Sequence, residues 1–258
     1  MSSRQQKLEA FGRLLDIMDD LREKCPWDKK QTFESLRPLT IEETYELADA
    51  ILENDSVEIK KELGDLLLHI VFYAKIGSET KSFDVKDVID GLCDKLIHRH
   101  PHIYGDVVAD DEEAVKTNWE KLKIKEGNQS VLQGVPKSLP SLVKASRIQD
   151  KAKAVGFDWQ NADQVWEKVQ EELAELQKEI KDKSSKSEIV SEFGDVLFSL
   201  INYARFLDID PDEALEKTNK KFISRFQFIE TKAKELNRSI HDLSLEEMNL
   251  YWNQAKIM

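Results

Sequence analysis

The chain contains few residues that break helices or cross-link a fold. Its 258 residues include 9 glycines, 6 prolines and 2 cysteines, Cys25 and Cys93. So few helix breakers, together with long stretches of Glu, Lys, Leu and Ala, favour helices throughout the chain. Two thiols can form neither a disulfide framework nor a four-cysteine zinc site. We therefore expect a helical protein in a reducing compartment, with the cytoplasm as the simplest assignment.

Net positive charge and long apolar segments are also missing. The formal net charge is -12 at pH 7, whereas a generic nucleic-acid-binding protein needs basic patches for the phosphate backbone. Residues 1–20 form a charged amphipathic pattern without the apolar core of a signal peptide. No apolar run is long enough to span a bilayer. We therefore expect neither a nucleic-acid partner nor membrane association.

What is present is the composition of a globular protein, with 40% hydrophobic and 34% charged residues. Residues 126–142 concentrate Gly, Pro and Ser and are the best domain boundary. We predict an N-terminal domain at 1–126, a linker at 127–142 and a C-terminal domain at 143–258. Periodicity and capping signals predict helices at 4–24, 39–53, 56–77, 84–98, 111–125, 140–154, 162–182, 187–207, 211–235 and 244–256.

The two halves of the chain repeat one another. ELGDLLLHIVFYAK begins at Glu62 and matches EFGDVLFSLINYAR, which begins at Glu192. So many matched pieces in one order indicate a tandem duplication of one all-α unit. The other matches are Glu42, Glu43 and Glu46 with Glu171, Glu172 and Glu175, the capping pair Asp55 and Glu58 with Ser185 and Glu188, Lys95 and Arg99 with Lys221 and Arg225, and Trp119 with Trp252.

Acidic residues recur on two neighbouring predicted helices of each repeat. Residues three apart share a helix face, and a turn of about ten residues lets the two helices run antiparallel. Converging carboxylates would repel one another and take up protons. A hard divalent cation resolves the repulsion, and oxygen ligands suit Mg²⁺ or Mn²⁺. The predicted metal ligands are Glu172, Glu175, Glu192 and Asp195 in the second repeat, and Glu43, Glu46, Glu62 and Asp65 in the first.

A lone pair of helical acids is more often a solvated helix face than a metal site. Here an ExxE motif occurs with an ExxD motif, the combination recurs, and apolar residues such as Leu66 and Val196 crowd both copies. We therefore expect the acids to point at packed surface and to bind metal. A di-iron carboxylate site would need Glu-x-x-His motifs, which neither repeat has.

Metal-bound carboxylates favour phosphate chemistry, which needs further cations for the remaining negative charge. Lys221 and Arg225 lie four residues apart on one predicted helix face and are candidate phosphate contacts. Trp252 could stack on a nucleobase. A solvated helix face and an ordinary packing tryptophan are the competing interpretations of these three residues.

These motifs resemble a known family. EETYE followed by ELGD, and EELAE followed by EFGD, are similar to the EExxE…ExxD signature of MazG-type nucleoside triphosphate pyrophosphohydrolases. CPWDKKQT at 25–32, RHPHIYGD at 99–106 and GFDW at 156–159 also resemble stretches of the full-length, two-domain bacterial members. The similarity covers nearly the whole chain.

The resemblance implies an all-α, Mg²⁺-dependent and usually dimeric enzyme. Such an enzyme cleaves ribo- and deoxyribonucleoside triphosphates between the α and β phosphates, and a house-cleaning role in nucleotide pools is expected. It implies tandem helical-bundle domains of the all-α NTP pyrophosphatase type. Carried onto this chain, the metal ligands would be Glu172, Glu175, Glu192 and Asp195, the nucleotide contacts would include Lys168, Glu171, Glu172, Asp195, Lys221, Arg225 and Trp252, and the catalytic candidates would be Glu171 and Glu172.

The second repeat is expected to be the main site. When Glu171 and Glu172 are aligned with Glu42 and Glu43, Lys168 corresponds to Leu39, and Pro38 stands where the first repeat's helix is predicted to begin. Glu171 is the candidate to deprotonate the attacking water, since it is adjacent to the ligands. Some family members carry a Lys shortly before the ExxD motif, where this chain has Glu188, which puts one phosphate contact in doubt.

Two other functions fit the sequence. A helical interaction or regulatory module could sense metal through the acid clusters without turnover. A narrower hydrolase of the same all-α superfamily could act on dUTP or dCTP alone, and base selectivity would separate it from the broad enzyme.

Overall fold

The computed structural model describes residues 2–107, 115, 118 and 130–257. Within these residues the chain forms ten α-helices with described bounds, two short 3₁₀ turns and no β-strand. It divides into two compact units, Met1–Asp110 and Asp111–Met258. The all-α fold class predicted from the sequence is therefore confirmed. None of the described helices combines the length and the apolar character needed to cross a membrane.

Part of the predicted organisation falls outside this description. The helix predicted at 111–125 and Trp119 lie outside the described residues, except for Val115 and Asn118, which are helical. Residues 130–140 form turns, and the next helix begins at Ser141. The boundaries proposed for the linker stay a prediction.

The first unit is built around an antiparallel hairpin of its second and third helices. Its buried core contains Met18, Leu36, Val71, Phe72 and Ile76, which come from the first three helices. Its helices are α1 (Arg4–Lys24), α2 (Phe33–Leu52), α3 (Ser56–Glu79), α4 (Val85–Arg99) and α5 (Pro101–Tyr104).

The start of α2 corrects a prediction. The sequence suggested a helix from residue 39, with Pro38 at its beginning, but α2 begins at Phe33 and contains Pro38. Thr32 and Ser35 form a reciprocal capping box that satisfies the first free N–H groups. Leu36 is fully buried in the core. Capping and burial of the first turn outweigh the hydrogen bond that proline removes.

The second unit repeats the central hairpin and adds a second apolar cluster. Val165 and Val169 are fully buried on the hairpin's first helix. Ile229, Ala233 and Leu243 form the other cluster, where the last two helices meet. The helices are α6 (Ser141–Lys153), α7 (Ala162–Lys181), α8 (Lys186–Phe206), α9 (Pro211–Glu235) and α10 (Leu245–Ala255).

Side-chain caps close both hairpin turns. The Ser185–Glu188 capping box is confirmed. Asp55 caps α3 as predicted by accepting the N–H groups of residues 57 and 58. The Glu58 side chain does not return the bond, however, because it lies 3.3 Å from Lys61 Nζ. The predicted box is therefore wrong in its second half, since a lysine one turn on competes for the glutamate.

Candidate active site

The hairpin of α7 and α8 brings three predicted ligands together. Glu172 on α7 and Glu192 and Asp195 on α8 each offer a carboxylate oxygen within 4.8 Å of the others. Glu172 is buried, Glu192 half-buried and Asp195 exposed. The fourth predicted ligand, Glu175, is exposed and does not belong to this group of oxygens. We call Glu172, Glu192 and Asp195 the second cluster.

Electrostatic repulsion is concentrated on Glu192. Its pKa is raised above the ordinary value of 4.5 by burial, and then by the negative charges of Glu175, Asp195 and Glu172. Glu175 is therefore close enough to act on the second cluster although its oxygens lie outside it. A carboxylate in such a position gains from a cation that holds it ionised.

Lys168 supplies one cation on the edge of the second cluster. Its Nζ lies 2.7 Å from Glu172 Oε1 and 3.0 Å from Glu171 Oε1. Hydrogen bonds to Glu172 and then to Glu171 raise the pKa of Lys168. Glu171 itself is exposed, and this lysine joins it to the cluster. The structure thus joins Lys168, Glu171 and Glu172, three of the residues predicted to contact nucleotide.

The first unit holds a matching cluster of Glu43, Glu62 and Asp65, which we call the first cluster. Their oxygens also lie within 4.8 Å of one another. Burial, followed by the charges of Asp65, Glu46 and Glu62, raises the pKa of Glu43. Glu46 is exposed and, like Glu175, stands outside the group of oxygens.

The first cluster has a different cation. Lys61 Nζ lies 2.7 Å from Glu62 Oε1, and nothing in the sequence analysis singled out Lys61. Glu62 is only 3% exposed, and its Oε2 has no hydrogen-bond partner within the described part of the chain. A buried carboxylate oxygen without a partner is costly. A signal was present, since the residue that precedes the ExxD motif in the second repeat is Ser191.

Both clusters fit a divalent metal ion by their chemistry. All six groups are carboxylates, which are the donors preferred by Mg²⁺ and Mn²⁺. Ligands at about 2.1 Å on opposite sides of Mg²⁺ are about 4.2 Å apart. An oxygen spread of up to 4.8 Å therefore needs only a small side-chain adjustment. The unpartnered Glu62 Oε2 is a further group that a cation would satisfy.

The apolar residues beside the acids are less packed than the sequence suggested. Glu62 and Glu172 are buried as expected, but Leu63 is 53% and Phe193 55% exposed. The acids therefore sit at the edge of packed surface. Leu66 is half-buried and Val196 is buried, so packed and exposed apolar side chains both lie beside the acids.

The remaining predicted contacts form a separate group. Arg225 on α9 places its guanidinium carbon 5.5 Å from the centre of the Trp252 ring, and the Phe222 ring packs at a tilt against the same ring, with 5.1 Å between the two centres. Lys221 is exposed. Among the described residues, no hydrogen bond, ion pair or ring contact joins Lys221, Arg225 or Trp252 to the second cluster.

A cavity of about 630 Å³ also opens in the second unit. Gln149, Asn202 and Arg205 contribute its polar lining. The sequence analysis did not identify these residues. The available signal was Asn202, which stands where the first repeat has Phe72 when Glu192 is aligned with Glu62.

Comparisons of the sequence with a family model and with known proteins identify the same family. The model of the MazG nucleotide pyrophosphohydrolase domain matches residues 31–104 and 160–227, once in each repeat. The nucleoside triphosphate pyrophosphohydrolase/pyrophosphatase MazG of Thermotoga maritima is 43% identical over 251 residues, with 95% of each chain covered. The nucleoside triphosphate pyrophosphohydrolase of Escherichia coli K12 is 40% identical over 257 residues, covering 96% of this chain and 98% of the relative.

A third relative is longer than this chain. The uncharacterized protein YabN of Bacillus subtilis is 45% identical over 260 residues, which are 98% of this chain and 53% of that protein. The two-repeat region is therefore found both as nearly the whole of a relative and as about half of one.

Proposed function

The chain belongs to the MazG nucleotide pyrophosphohydrolase family, and on that premise we propose that it hydrolyses nucleoside triphosphates to the monophosphate and pyrophosphate. We propose the second cluster as the main site and both NTPs and dNTPs as substrates, in a house-cleaning role. The observation that carries the assignment to this site is the meeting of Glu172, Glu192 and Asp195 beside Lys168. Two free cysteines support a reducing cytoplasm as its location.

We propose Mg²⁺, with Mn²⁺ as a substitute, as the ion of the site. Glu172, Glu192 and Asp195 would hold it, and Glu175 would complete the set. When bound, the ion neutralises phosphate charge and lowers the pKa of a coordinated water. The support is the all-carboxylate donor set and the raised pKa of Glu192.

The protein's own side chains have distinct roles in this proposal. Lys168 would bind a phosphate oxygen as a point charge, since its ammonium already stands at the edge of the second cluster. Glu171 would accept the proton of the attacking water, and its exposed carboxylate beside Lys168 leaves it accessible. Lys221 and Arg225 would neutralise the leaving pyrophosphate, and Trp252 would cover the nucleotide.

Among the described residues these last three side chains make no direct contact with the second cluster, and a second chain could bring further groups to it. Apolar side chains remain exposed on matching helices of the two repeats, Ile97 at 49% on α4 and Phe222 at 57% on α9. Phe193 beside the second cluster is exposed as well. Faces of this kind favour burial against another subunit. We propose a homodimer, which light scattering after size exclusion would test.

The decisive experiment is product analysis. Purified protein is incubated with each common NTP and dNTP, with and without Mg²⁺, and products are separated by ion exchange. We expect monophosphate and pyrophosphate from the wild type, and loss of at least about 100-fold in Glu172→Gln, because removing even an outer partner of a metal ligand costs about 10- to 100-fold.

The matched control is Glu43→Gln in the first cluster, which should retain most turnover. Loss in Glu43→Gln but not in Glu172→Gln would move the site to the first unit. Absence of turnover in a folded protein that binds Mg²⁺ would reject the proposed activity and favour a metal-sensing interaction module. Turnover of dUTP or dCTP alone would favour the narrower pyrimidine enzyme.

A further inference from the structure

The cavity of the second unit has the size and lining of a small-molecule site. Its volume of about 630 Å³ lies within the range of roughly 300–1,000 Å³ found for ligand pockets. Leu132, Ile148 and Phe198 give it apolar walls, and Phe157 and Trp159 of the GFDW loop stand at its side. Flat aromatic and aliphatic walls suit a flat heterocycle better than a charged group.

The cavity lies on the same face of α8 as the second cluster. Phe198 and Asn202 follow Asp195 by three and seven positions, which places all three along one stripe of the helix. At 1.5 Å per residue, Asn202 is about 10 Å along the axis from Asp195. A molecule with phosphate at the cluster could therefore extend a ring into the cavity without leaving the unit.

In the first unit a large side chain occupies the position that matches Asn202. Asn202, which lines the cavity, corresponds to Phe72 when Glu192 is aligned with Glu62. Phe72 is 2% exposed, and the Arg22 guanidinium lies over its ring at 5.5 Å. The asparagine is smaller than this phenylalanine and lines open space in the second unit.

Gln149, a residue of the cavity lining, carries a buried acceptor with no partner among the described residues. Gln149 is 6% exposed, and its Nε2 donates to the carbonyl of Phe198 at 2.9 Å. That carbonyl can only accept, so the orientation of the amide is fixed and Oε1 is the free end. Oε1 is buried without a hydrogen bond among the described residues. Such a group needs a donor to offset its lost hydration.

A donor stands in the same lining. Asn202 Oδ1 accepts from Arg205 at 2.7 Å, which leaves the Asn202 NH₂ group as the other end of a fixed amide. Arg205 is held in turn by two hydrogen bonds to Asp158. Burial alone would raise the pKa of Asp158, but the hydrogen bonds and charge of Arg205 outweigh it and keep the carboxylate ionised. The lining therefore offers one acceptor and one donor in defined orientations.

We infer that this cavity binds the nucleobase of a nucleoside triphosphate whose phosphates lie at the second cluster, an inference that rests on the proposed function. Every common base carries hydrogen-bond donors and acceptors on its edge and a flat apolar face. Gln149 Oε1 accepts from the base, the Asn202 amide donates to it, and Phe198 and the GFDW loop contact its face. Gln149 and Asn202 are thus base-binding residues, and the first unit has the buried Phe72 at the position of Asn202.

The inference is tested by filling the cavity with the side chain that the first repeat has at the matched position. Asn202→Phe places a phenylalanine where the first repeat has one, while Asn202→Ala removes the amide without filling the space. We expect Asn202→Phe to lower kcat/KM for NTPs at least about tenfold, with a smaller loss in Asn202→Ala. Turnover of ribose 5-triphosphate, which has no base, should be the same in the wild type and both variants.

Binding is measured separately by NMR with nucleoside monophosphates and no metal. Addition of the monophosphate should shift the side-chain amide signals of Gln149 and Asn202, which are assigned by their loss in Gln149→Met and Asn202→Ala. The matched control is Gln5→Met, which removes an exposed amide on α1 that donates to Glu9. It should leave both binding and turnover at wild-type values.

The outcomes separate this inference from the activity itself. Equal loss of NTP and ribose 5-triphosphate turnover in folded Asn202→Phe would overturn the base pocket, and so would unchanged NTP turnover. Unshifted amide signals at saturating monophosphate would overturn it as well. A wild type that hydrolyses no nucleotide but shows the amide shifts would reject the proposed activity and keep the pocket.

Discussion

The two repeats carry the same three carboxylates but pair them with lysines on opposite helices. In the first unit Lys61 on α3 contacts Glu62, and in the second Lys168 on α7 contacts Glu172. Each lysine is missing from the other repeat, where the matched residues are Ser191 and Leu39. A duplicated site can therefore keep its ligand set while the surrounding charge changes sides.

The cores beside the clusters differ in the same way. Phe72 is packed in the core of the first unit, whereas Asn202 lines a cavity in the second. The first unit has the packing of a structural core, and the second has the open space that a substrate needs. The difference teaches that the two acid clusters, alike in their carboxylates, are distinguished by what lies next to them.

The largest expected effect is on the free energy of unfolding, and it tests whether the two units differ in the packing of their cores. Phe72→Ala should lower the free energy of unfolding by about 3–5 kcal/mol, because it leaves a void in a tightly packed cluster. Asn202→Ala, at the matched position, should cost only about 1.5 kcal/mol, since it leaves no void in a packed core but removes a hydrogen bond from Arg205. Denaturant unfolding followed by circular dichroism measures both. Similar losses in the two variants would contradict the difference drawn between the units.

A smaller effect, on KM, is expected when the lysine of each cluster is replaced, and it tests whether the two lysines differ in function. Lys168→Met should raise KM for NTPs about tenfold, equivalent to ~1.4 kcal/mol, because a charged hydrogen-bond donor is removed from the phosphate site. Lys61→Met should leave KM and kcat at the wild-type values. Steady-state kinetics on one NTP at saturating Mg²⁺ is sufficient. A larger change in Lys61→Met than in Lys168→Met would assign turnover to the first cluster.

The smallest expected effect is the change in Tm when Mg²⁺ binds, and it depends on pH. Glu43 and Glu192 have pKa values raised above 4.5 by burial and neighbouring charges. In this pH range the metal-free folded protein therefore binds more protons than the unfolded chain. Its free energy of unfolding rises as the pH falls through the raised pKa values, and the rise is complete below pH 4.5. At neutral pH both groups are ionised and repelled, so Mg²⁺ at about tenfold its Kd should raise Tm by ~2–4 °C.

This metal-induced shift should shrink as pH falls towards 4.5, because protons then compete with the ion for the carboxylates. Differential scanning calorimetry between pH 7 and pH 4.5 tests the expectation, with K⁺ at matched ionic strength as the control. A shift in Tm that is constant over this range would show that the ion binds elsewhere. Loss of half of the shift in Glu43→Gln would show that both clusters bind.

Much of this architecture could be predicted from the sequence because it depends on local signals. Periodicity and caps place α1 and α9 at the residues observed, and the spacing of Glu192 and Asp195 predicts their common face. The start of α2 could not be predicted in this way. The burial of Leu36, a tertiary contact, stabilises a first turn that Pro38 argues against.

The site was predictable in its ligands and less so in its neighbours. Three of four predicted acids meet in each unit, since hairpin geometry follows from helix length and turn. The pairing of Lys61 with Glu62 and the unpartnered Gln149 Oε1 depend on which side chain reaches which atom. Such contacts follow from packing between helices, which spacing along a single helix does not determine.

The placement of each cluster within one hairpin has a consequence for how the protein forms. The acids of a cluster are close in sequence, because a single helical turn-around separates Glu43 from Asp65 and Glu172 from Asp195. Contacts between such near neighbours form early and fast during folding, because little chain entropy is lost in closing a short loop. We therefore expect each hairpin to bring its acids together during synthesis, before the helices that follow it are made. An ion bound at that stage would speed the closure of the very hairpin that later uses it.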